Sequence, residues 1–489
     1  MNDPSLYNED LAPTTPAQRT WNKWHIAALW VGMAVCIPTY GLAAALVASG
    51  ASLGLAVTSV AIGNLIVLVP LILNGHPGAR YGIPFPVLIR SSFGVGGAHL
   101  PTMVRSLVAC GWFGIQTWIG GKALHFLAVT IWPDVAMPVL VPDFFGITTG
   151  QFIAFAAFWV INLLIIMRGV EALKVFEVYA APFLLLAGLA LFVWAWVKVG
   201  DLGAMVSSPA AVGGPSTMTA LATGITGAVA FWGTLALNIP DFTRYAASQK
   251  DQAIGQAISL PTTMTFYVFI GAAVTNATLL IFGEQIADPV AVLARAGGPF
   301  VVVIAMFGLI IATLSTNLAA NVVSPANGFS NLAPSKIDFR RGAVITALIG
   351  LVIMPWKMWE DPDAYVITWL GGCGSLLGAV GGIMIADYFG IRKMELEVDD
   401  LYRRGGRYEF AGGWNPVALI AFALGVGVLV PGFLATIGVA TPPAFFLEIY
   451  KWSWFVAFAL AGGTYWIGMT MIARDSRPAA TKRKVPSHG

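Results

Sequence analysis

The chain has 489 residues, of which 57% are hydrophobic and 10% charged, and its mean hydropathy is +0.77. These values exceed what a soluble globular core requires, and they predict an integral membrane protein. The formal net charge is only +3, and the basic residues are scattered over loops, which argues against nucleic acid as a partner. Cys36, Cys110 and Cys373 lie in apolar segments, so neither a disulfide framework nor a cysteine metal site is expected.

Long apolar segments recur along the whole chain. A membrane-spanning helix needs about 20 apolar residues, and the sequence predicts twelve such spans, which makes the fold class an all-α integral membrane protein. The predicted spans are 24–48, 52–74, 99–131, 149–168, 173–197, 217–241, 258–283, 299–328, 342–359, 364–390, 413–436 and 449–473. Residues 1–23 are predicted to be a polar cytoplasmic tail without a cleaved signal peptide, and residues 474–489 a basic cytoplasmic tail.

The distribution of Lys and Arg over the loops predicts the orientation. With the N-terminus in the cytoplasm, only five of the 27 basic residues would face the outside. Those five are Lys122, Lys198, Arg295, Lys357 and Lys451. Because positive charge is enriched on the cytoplasmic side of membrane proteins, we expect a multi-pass protein of the plasma (inner) membrane with both termini cytoplasmic.

One sequence pattern recurs in predicted spans 1 and 6. Trp30 precedes Ile37-Pro38 with the same spacing that separates Trp232 from Ile239-Pro240. Proline removes a helical hydrogen bond, and interrupted helices in matching halves indicate a transporter binding site. Since spans 1 and 6 run in opposite directions, the pattern predicts a five-plus-five inverted repeat with discontinuous helices 1 and 6. The repeats would be residues 24–197 and 217–390, with 413–473 as two additional helices. Chance recurrence, in a chain with 17 Trp and 29 Pro, is the alternative.

Polar residues inside spans 3 and 8 are candidates for ligand binding. Trp112 and Gln116 lie one helical turn apart on one face of span 3, although Trp112 could equally be a packing residue. In span 8, Asn317 and Asn321 share a face, while Ala312, Ser315 and Thr316 share another. Hydroxyls in apolar helices commonly bond back to their own helix. The hydroxyls of span 8 could instead form a sodium site of neutral oxygens together with the freed backbone carbonyls of span 1.

The ionisable residues favour an uncharged substrate. Spans 1, 3, 6 and 8 place no Asp, Glu, Lys or Arg near the expected midplane, and Glu177, Asp241 and Asp387 are expected near cytoplasmic helix ends. Because unpaired charge in a membrane is costly, the sequence predicts a neutral, flat heterocycle that stacks on indole. His99 and His125 could relay protons, but packing roles are the alternative for both.

Four motifs resemble those of the nucleobase:cation symporter family of purine, cytosine, uracil, hydantoin and allantoin permeases. They are Gly111–Gly121, Asn238–Tyr245, Ser315–Pro325 and Ile385–Phe389. The segment Leu73–Pro86 and the loop after span 10 look most similar to the allantoin permease branch. The resemblance extends over roughly residues 8–470 and implies the five-plus-five fold with two extra helices.

The resemblance also implies roles for individual residues. Trp112 and Trp232 would sandwich the substrate ring, and Gln116 and Asn321 would hydrogen-bond its edges. Cys36 stands where relatives often carry an amide, so one hydrogen bond to the substrate would be lost or replaced. The residues that match the sodium ligands of the hydantoin member are Gly32, Val35, Ala312, Ser315 and Thr316.

These observations predict a secondary active symporter, not an enzyme, that imports a neutral nitrogen heterocycle with a cation. Allantoin or hydantoin is the first expectation, followed by a nucleobase such as uracil or cytosine; sodium is the first coupling ion and the proton the alternative. No other cofactor is expected. An amino-acid or osmolyte symporter of the same architecture is the main competing hypothesis. A membrane sensor would need a signalling domain, and a membrane enzyme would need a nucleophile with a base, or paired carboxylates, at depth; the sequence suggests neither.

Overall fold

A computed structural model describes residues 3–133, 146–207, 214–286, 288–296, 298–358 and 371–475. Within these ranges the chain is helical and forms no β-strand beyond two isolated bridges. The helices of the first part are α1 (Lys23–Ala34), α2 (Ile37–Ala48), α3 (Leu53–Tyr81), α4 (Phe85–Leu88), α5 (Arg90–Phe93), α6 (His99–Ile131), α7 (Thr149–Ile166), α8 (Val170–Val199) and α9 (Leu202–Val206). Those of the second part are α10 (Thr217–Asn238), α11 (Pro240–Thr243), α12 (Gln249–Phe282), α13 (Pro289–Ala296), α14 (Pro299–Asn321), α15 (Val323–Leu332), α16 (Phe339–Val352), α17 (Pro355–Met358), α18 (Gly371–Ile385), α19 (Pro416–Gly427), α20 (Val430–Thr436), α21 (Ala444–Tyr450) and α22 (Ser453–Asp475).

Ten of the twelve predicted spans correspond to described helices that are long and apolar enough to cross a membrane. Nine are single spans and the tenth is the bent pair α1 and α2. Predicted spans 3 and 9 coincide with α6, which has 33 residues, and α16, which has 14. Residues 359–370, where predicted span 10 begins, and residues 476–489 of the basic tail lie outside the described part of the chain.

Span 1 is broken between α1 and α2, as the proline predicts. The two helices meet at Val35 and Cys36 with a bend of 55°. Pro38 cannot donate a backbone hydrogen bond, and its ring clashes with the carbonyl four residues earlier, which belongs to Ala34. Helix α1 ends at that residue. Cys36 N donates to Ala34 O (3.1 Å), so the carbonyl of Gly32 is left without a partner in its own helix.

Span 6 is interrupted more gently than span 1. Helix α10 ends at Asn238, Ile239 keeps a helical conformation (φ −53°, ψ −28°), and α11 begins at Pro240. Pro240 has no N–H to donate to the carbonyl four residues earlier, which belongs to Ala236. Asn74 Nδ2 donates to this carbonyl instead (2.7 Å). Because a side chain of α3 satisfies this carbonyl, the two helical pieces need not separate as they do in span 1.

The N-terminal segment packs onto the helices and is not a free tail. Leu6 and Leu11 are buried, and Tyr402 Oη donates to Leu11 O (2.6 Å). Thr14 Oγ1 donates to Arg244 O (2.6 Å), just after α11. The segment therefore closes over one end of the helix bundle, beside the interruption of span 6.

The last span is fixed to span 10 by close packing and by a hydrogen bond to one member of a buried ion pair. Helices α18 and α22 approach so closely that a Cβ at Gly462 would lie 2.9 Å from Gly382 O. Where α18 continues as a π-helical turn (Ala386–Ile391), Arg392 Nε lies 2.7 Å from Asp387 Oδ2. Tyr465 Oη of α22 donates to the other carboxylate oxygen (2.7 Å). Asp387 thus has a structural role at the helix end where it was expected.

Candidate functional site

A small cavity lies where α1, α6, α10 and α14 meet. Its volume is about 20 Å³, and Trp112, Gln116, Trp232 and Asn321 are among the residues that line it. This is room for about one water molecule. The structure therefore brings these four predicted ligand residues to one place, around a cavity too small for a heterocycle.

The aromatic wall of this cavity differs from the predicted arrangement. Phe231, not Trp232, packs edge-to-face against Trp112, with ring centroids 5.5 Å apart. Trp232 packs edge-to-face against Trp30 (5.1 Å), and its Nε1 donates to Met264 Sδ. Trp232 is thus held by Trp30 and Met264. Sequence reasoning missed Phe231, which no local pattern distinguishes from a packing aromatic, and it used Trp30 only as part of the recurring Trp/Ile-Pro pattern.

Two amide side chains give the cavity its polar character. Gln116 is buried, and its Oε1 atom has no hydrogen-bond partner among the described residues. Asn321 Nδ2 donates to Asn317 Oδ1 (3.1 Å). Asn317 in turn donates to Thr117 Oγ1 and to Asn162 Oδ1 (3.1 Å each). This network orients Asn321. Gln116 Oε1, by contrast, is an acceptor without a donor among the described residues.

Cys36 lies at the break of span 1, at the edge of the same site. Its Sγ atom is 3.2 Å from Thr39 Oγ1, and the thiol also lies close to Thr316 and Gln116. The side chain is buried, so it can shape the site but offers no amide group.

Three of the five predicted cation ligands, Gly32, Ser315 and Thr316, come together at the contact of α1 with α14. Thr316 Oγ1 donates to Gly32 O (2.9 Å), the carbonyl left free by the break. A Cβ added to Gly32 would lie 2.4 Å from Ser315 Oγ. Val35 and Ala312 line one wall of an adjoining, largely apolar cavity of about 510 Å³.

One expectation about charge is wrong, because a carboxylate lies at this contact. Glu177 is buried, and its Oε2 atom accepts a hydrogen bond from Ser315 Oγ (2.5 Å). Helix α8 begins at Val170, so Glu177 lies two turns inside it, about 10 Å from its start. Hydropathy placed the start of span 5 later and therefore assigned Glu177 to a helix end.

The side chains at this contact suit a hard cation. They offer hydroxyl, carbonyl and carboxylate oxygens, which are the donors that such ions prefer. Glu177 Oε1 is buried and has no hydrogen-bond partner among the described residues. The donor set is therefore compatible with the predicted coupling cation, although it carries a charge that the prediction lacked.

A second charge, Arg105, is also nearer the cavity than predicted. It was counted among the cytoplasmic basic residues, yet it is buried inside α6, about 10 Å along the helix from Trp112. Its Nε atom donates to Thr234 O (3.1 Å) and Asn238 Oδ1 (2.8 Å), and Nη2 donates to Ala320 O (3.1 Å). One side chain thus joins α6, α10 and α14.

A larger polar cavity of about 1200 Å³ lies beyond Arg105, next to the N-terminal segment. Asp241, Arg244 and Asn327 are among its lining residues. Asp241 Oδ1 accepts a hydrogen bond from Phe85 N (3.0 Å) at this end of the molecule. Along α14 and α15, Ala320 lines the small cavity and Val323 the large one, so the barrier between them is about one helical turn thick.

The two histidines considered for proton relay lie away from the small cavity. His99 begins α6, and its Nδ1 atom is 3.4 Å from Asn331 Nδ2. His125 lies near the other end of the same helix and is half-buried. Neither residue borders the small cavity.

The fold and this geometry define a class of protein. The spanning helices are apolar, and one of them is broken beside a small cavity lined by aromatic and amide side chains. This combination is typical of secondary transporters. The family model for permeases of cytosine/purines, uracil, thiamine and allantoin matches residues 13–457. The chain belongs to this permease family, and it is a multi-pass membrane transporter.

Curated relatives match nearly the whole chain. The purine-uracil permease NCS1 of Arabidopsis thaliana is 43% identical over 475 residues, which cover 96% of this chain and 79% of the relative. The allantoin permease of Bacillus subtilis is 41% identical over 457 residues, covering 93% and 91%. The hydantoin permease of Microbacterium maritypicum is 28% identical over 468 residues, covering 92% and 89%.

Solved structures confirm the fold. Mhp1, a nucleobase-cation-symport-1 family transporter in a closed conformation with bromovinylhydantoin bound, has a TM-score of 0.76 at 25% identity, and the match covers 96% of each chain. The likeness to the L-phenylalanine complex of MhsT, with a TM-score of 0.55 at 14% identity over 93% of this chain and 98% of the other, concerns the fold alone. The predicted five-plus-five architecture is thus confirmed, while the exact repeat boundaries stay a prediction.

Proposed function

We propose that the protein is a symporter of the plasma (inner) membrane that imports a neutral nitrogen heterocycle together with a cation. Allantoin or hydantoin is the first candidate substrate, and a nucleobase such as uracil or cytosine the second. Sodium is the proposed coupling ion. Both termini would lie in the cytoplasm, so that the 1200 Å³ cavity would open towards the cell interior.

The position of Thr316 is the observation that carries this proposal. Its side chain lines the small cavity and also donates to Gly32 O at the proposed cation site. A cation that recruits this hydroxyl and carbonyl would replace their mutual hydrogen bond and order the broken segment of span 1. Ion and substrate would then act on the same residue, which is the physical basis for coupling their affinities.

Substrate recognition would use the aromatic wall and the two amides. Trp112 and Trp232, with Phe231 between them, offer apolar faces for a planar ring. Gln116 Oε1 has no partner among the described residues, so it can accept a ring N–H, as ureides and nucleobases present. Asn321, held by Asn317, can engage the opposite edge. The absence of a cationic side chain among the lining residues favours a neutral solute.

Arg105 would hold the inner barrier closed. It joins backbone and side-chain oxygens of α10 and α14 between the two cavities. Release of these bonds would let the small cavity open towards the large one. The guanidinium can make several fixed contacts at once, so its bonds can form or break together as the helices move.

Uptake into proteoliposomes tests the proposal. Labelled allantoin, hydantoin, uracil and cytosine should be compared with an inward sodium gradient, with a proton gradient alone, and with neither. We expect sodium-driven accumulation of at least one of these heterocycles. Accumulation driven by protons alone would replace sodium in the proposal. Transport of an amino acid that these heterocycles do not inhibit would contradict it.

A further inference from the structure

The buried carboxylate of Glu177 lies at the crossing of three helices. Helix α8, which carries it, packs against both α1 and α14. The exposed fraction of Glu177 is 1%, and Ser315 Oγ of α14 donates to Glu177 Oε2 (2.5 Å). Span 5 thereby reaches the contact between spans 1 and 8 that was assigned to a set of neutral oxygens.

The absence of a side chain at Gly32 makes room for this carboxylate. A Cβ at Gly32 would lie 1.7 Å from Glu177 Oε2 and 2.4 Å from Ser315 Oγ. The carboxylate oxygen is therefore directed against the backbone of Gly32, whose carbonyl is one of the proposed cation ligands. Carboxylate, hydroxyl and carbonyl oxygens thus meet in one small volume.

An ionised Glu177 would have no balancing charge among the described residues. Ser315 is its hydrogen-bond partner, its Oε1 atom has none, and it forms no ion pair within the described part of the chain. A buried ionised carboxylate is costly unless a cation or several donors compensate it. A cation bound beside Gly32 and Ser315 would supply that compensation.

We infer that Glu177 is a direct ligand of the coupling cation and adds one negative charge to an otherwise neutral oxygen site. The inference rests on the proposed function only for the existence of a cation site at this contact. A monovalent cation neutralises one carboxylate, whereas a divalent ion would leave a buried positive charge. The site should therefore favour sodium over calcium, since ligand charge sets the affinity of such sites.

Direct measurement of sodium binding tests this inference. Purified full-length protein should be titrated with sodium, with choline chloride keeping the ionic strength constant, and bound ²²Na⁺ counted without substrate. Glu177→Gln keeps the shape and removes the charge, so we expect its half-saturating sodium concentration to rise roughly 10- to 100-fold or more. Glu177→Asp keeps the charge at a shorter reach and should give an intermediate value.

Two variants serve as controls. Glu448→Gln changes an exposed carboxylate that pairs with Lys451, and its sodium titration should match wild type. Thr313→Ala removes a hydroxyl of α14 that bonds back to Leu309 O, and it should also leave sodium binding unchanged. Size-exclusion profiles establish that each variant folds. If Glu177→Gln does not fold, Glu177→Asp decides: an unchanged titration overturns the inference.

The outcomes separate this inference from the proposed function. Wild-type sodium affinity in folded Glu177→Gln, or no ²²Na⁺ binding to wild type, overturns the inference. Sodium binding that depends on Glu177, in a protein that binds none of the tested heterocycles, supports the inference and refutes the proposed substrate.

Discussion

Gln116 is the residue whose surroundings say most about substrate recognition. Buried acceptors almost always have a donor, yet Gln116 Oε1 has none among the described residues. An unsatisfied buried acceptor costs about 1–3 kcal/mol. A substrate N–H that reaches it would recover that free energy, so this acceptor favours the binding of a donor.

Replacement of Gln116 should therefore weaken binding strongly. In Gln116→Leu the acceptor is lost at nearly constant volume, and we expect the Kd of the transported heterocycle to rise about 5- to 150-fold. Isothermal titration with purified protein measures this. Gln151→Leu, which alters a glutamine that caps α7, is the control and should bind normally. An unchanged Kd in Gln116→Leu would remove this residue from the site.

Gly32 is the residue where the smallest change should have the largest effect on the cation. A methyl group there would collide with Glu177 and Ser315, and overpacking of this kind costs about 1–3 kcal/mol. We expect Gly32→Ala to abolish the sodium dependence of substrate binding. Gly41→Ala is the matched control, because a Cβ at Gly41 meets nothing within 4 Å. Normal sodium dependence in Gly32→Ala would contradict the assignment of the cation site.

At the scale of elements, the two interrupted spans show how tertiary contacts modify one sequence pattern. The same Ile-Pro dipeptide breaks span 1 by 55° but leaves span 6 nearly continuous. At both interruptions a side chain of another helix satisfies a freed carbonyl. Gly32 O accepts from Thr316 across a helix contact, and Ala236 O accepts from Asn74. The proline pattern could predict both interruptions, but the partners belong to distant segments that local patterns do not reveal.

Asn74 should accordingly contribute to the stability of span 6. Asn74→Leu would leave Ala236 O without its donor, and we expect a loss of about 1–3 kcal/mol in stability. A lower apparent Tm in a thermal-shift assay would show it. Asn22→Leu removes a side chain that caps α1 at an exposed end and should cost only about 1 kcal/mol. An apparent Tm in Asn74→Leu equal to that of the unmodified protein would contradict this role of Asn74.

Arg105 should control how often the inner barrier opens. Arg105→Lys keeps the charge but cannot make all three contacts, so a loss of about 1–3 kcal/mol would raise the open population about 5- to 150-fold. Leu235 lines the small cavity. In a background without the native cysteines, an impermeant maleimide added from the N-terminal face would label Leu235→Cys only when the barrier opens, so the labelling rate reports this opening. Arg80→Lys, at an exposed position, is the control. Equal labelling rates in Arg105→Lys and Arg80→Lys would exclude a gating role for Arg105.

For the whole molecule, hydropathy and the proline pattern predicted most of the architecture, while the orientation predicted from loop charge stays a prediction. Ten predicted spans match apolar helices, and the broken first span lies where Pro38 requires it. Residues in distinctive local patterns, such as Trp112 with Gln116, line one cavity, and their roles in binding stay a prediction. Predictions about the site failed for Glu177, Arg105 and Phe231, because depth and facing direction depend on where helices begin and how they pack.

The central claim concerns coupling between two adjoining sites, and reciprocal linkage tests it most directly. Equilibrium binding of the transported heterocycle should be measured with and without saturating sodium, and sodium binding with and without saturating heterocycle. The account predicts that each ligand tightens the binding of the other by the same factor, typically about 5- to 150-fold. Affinities that are independent of each other would contradict it.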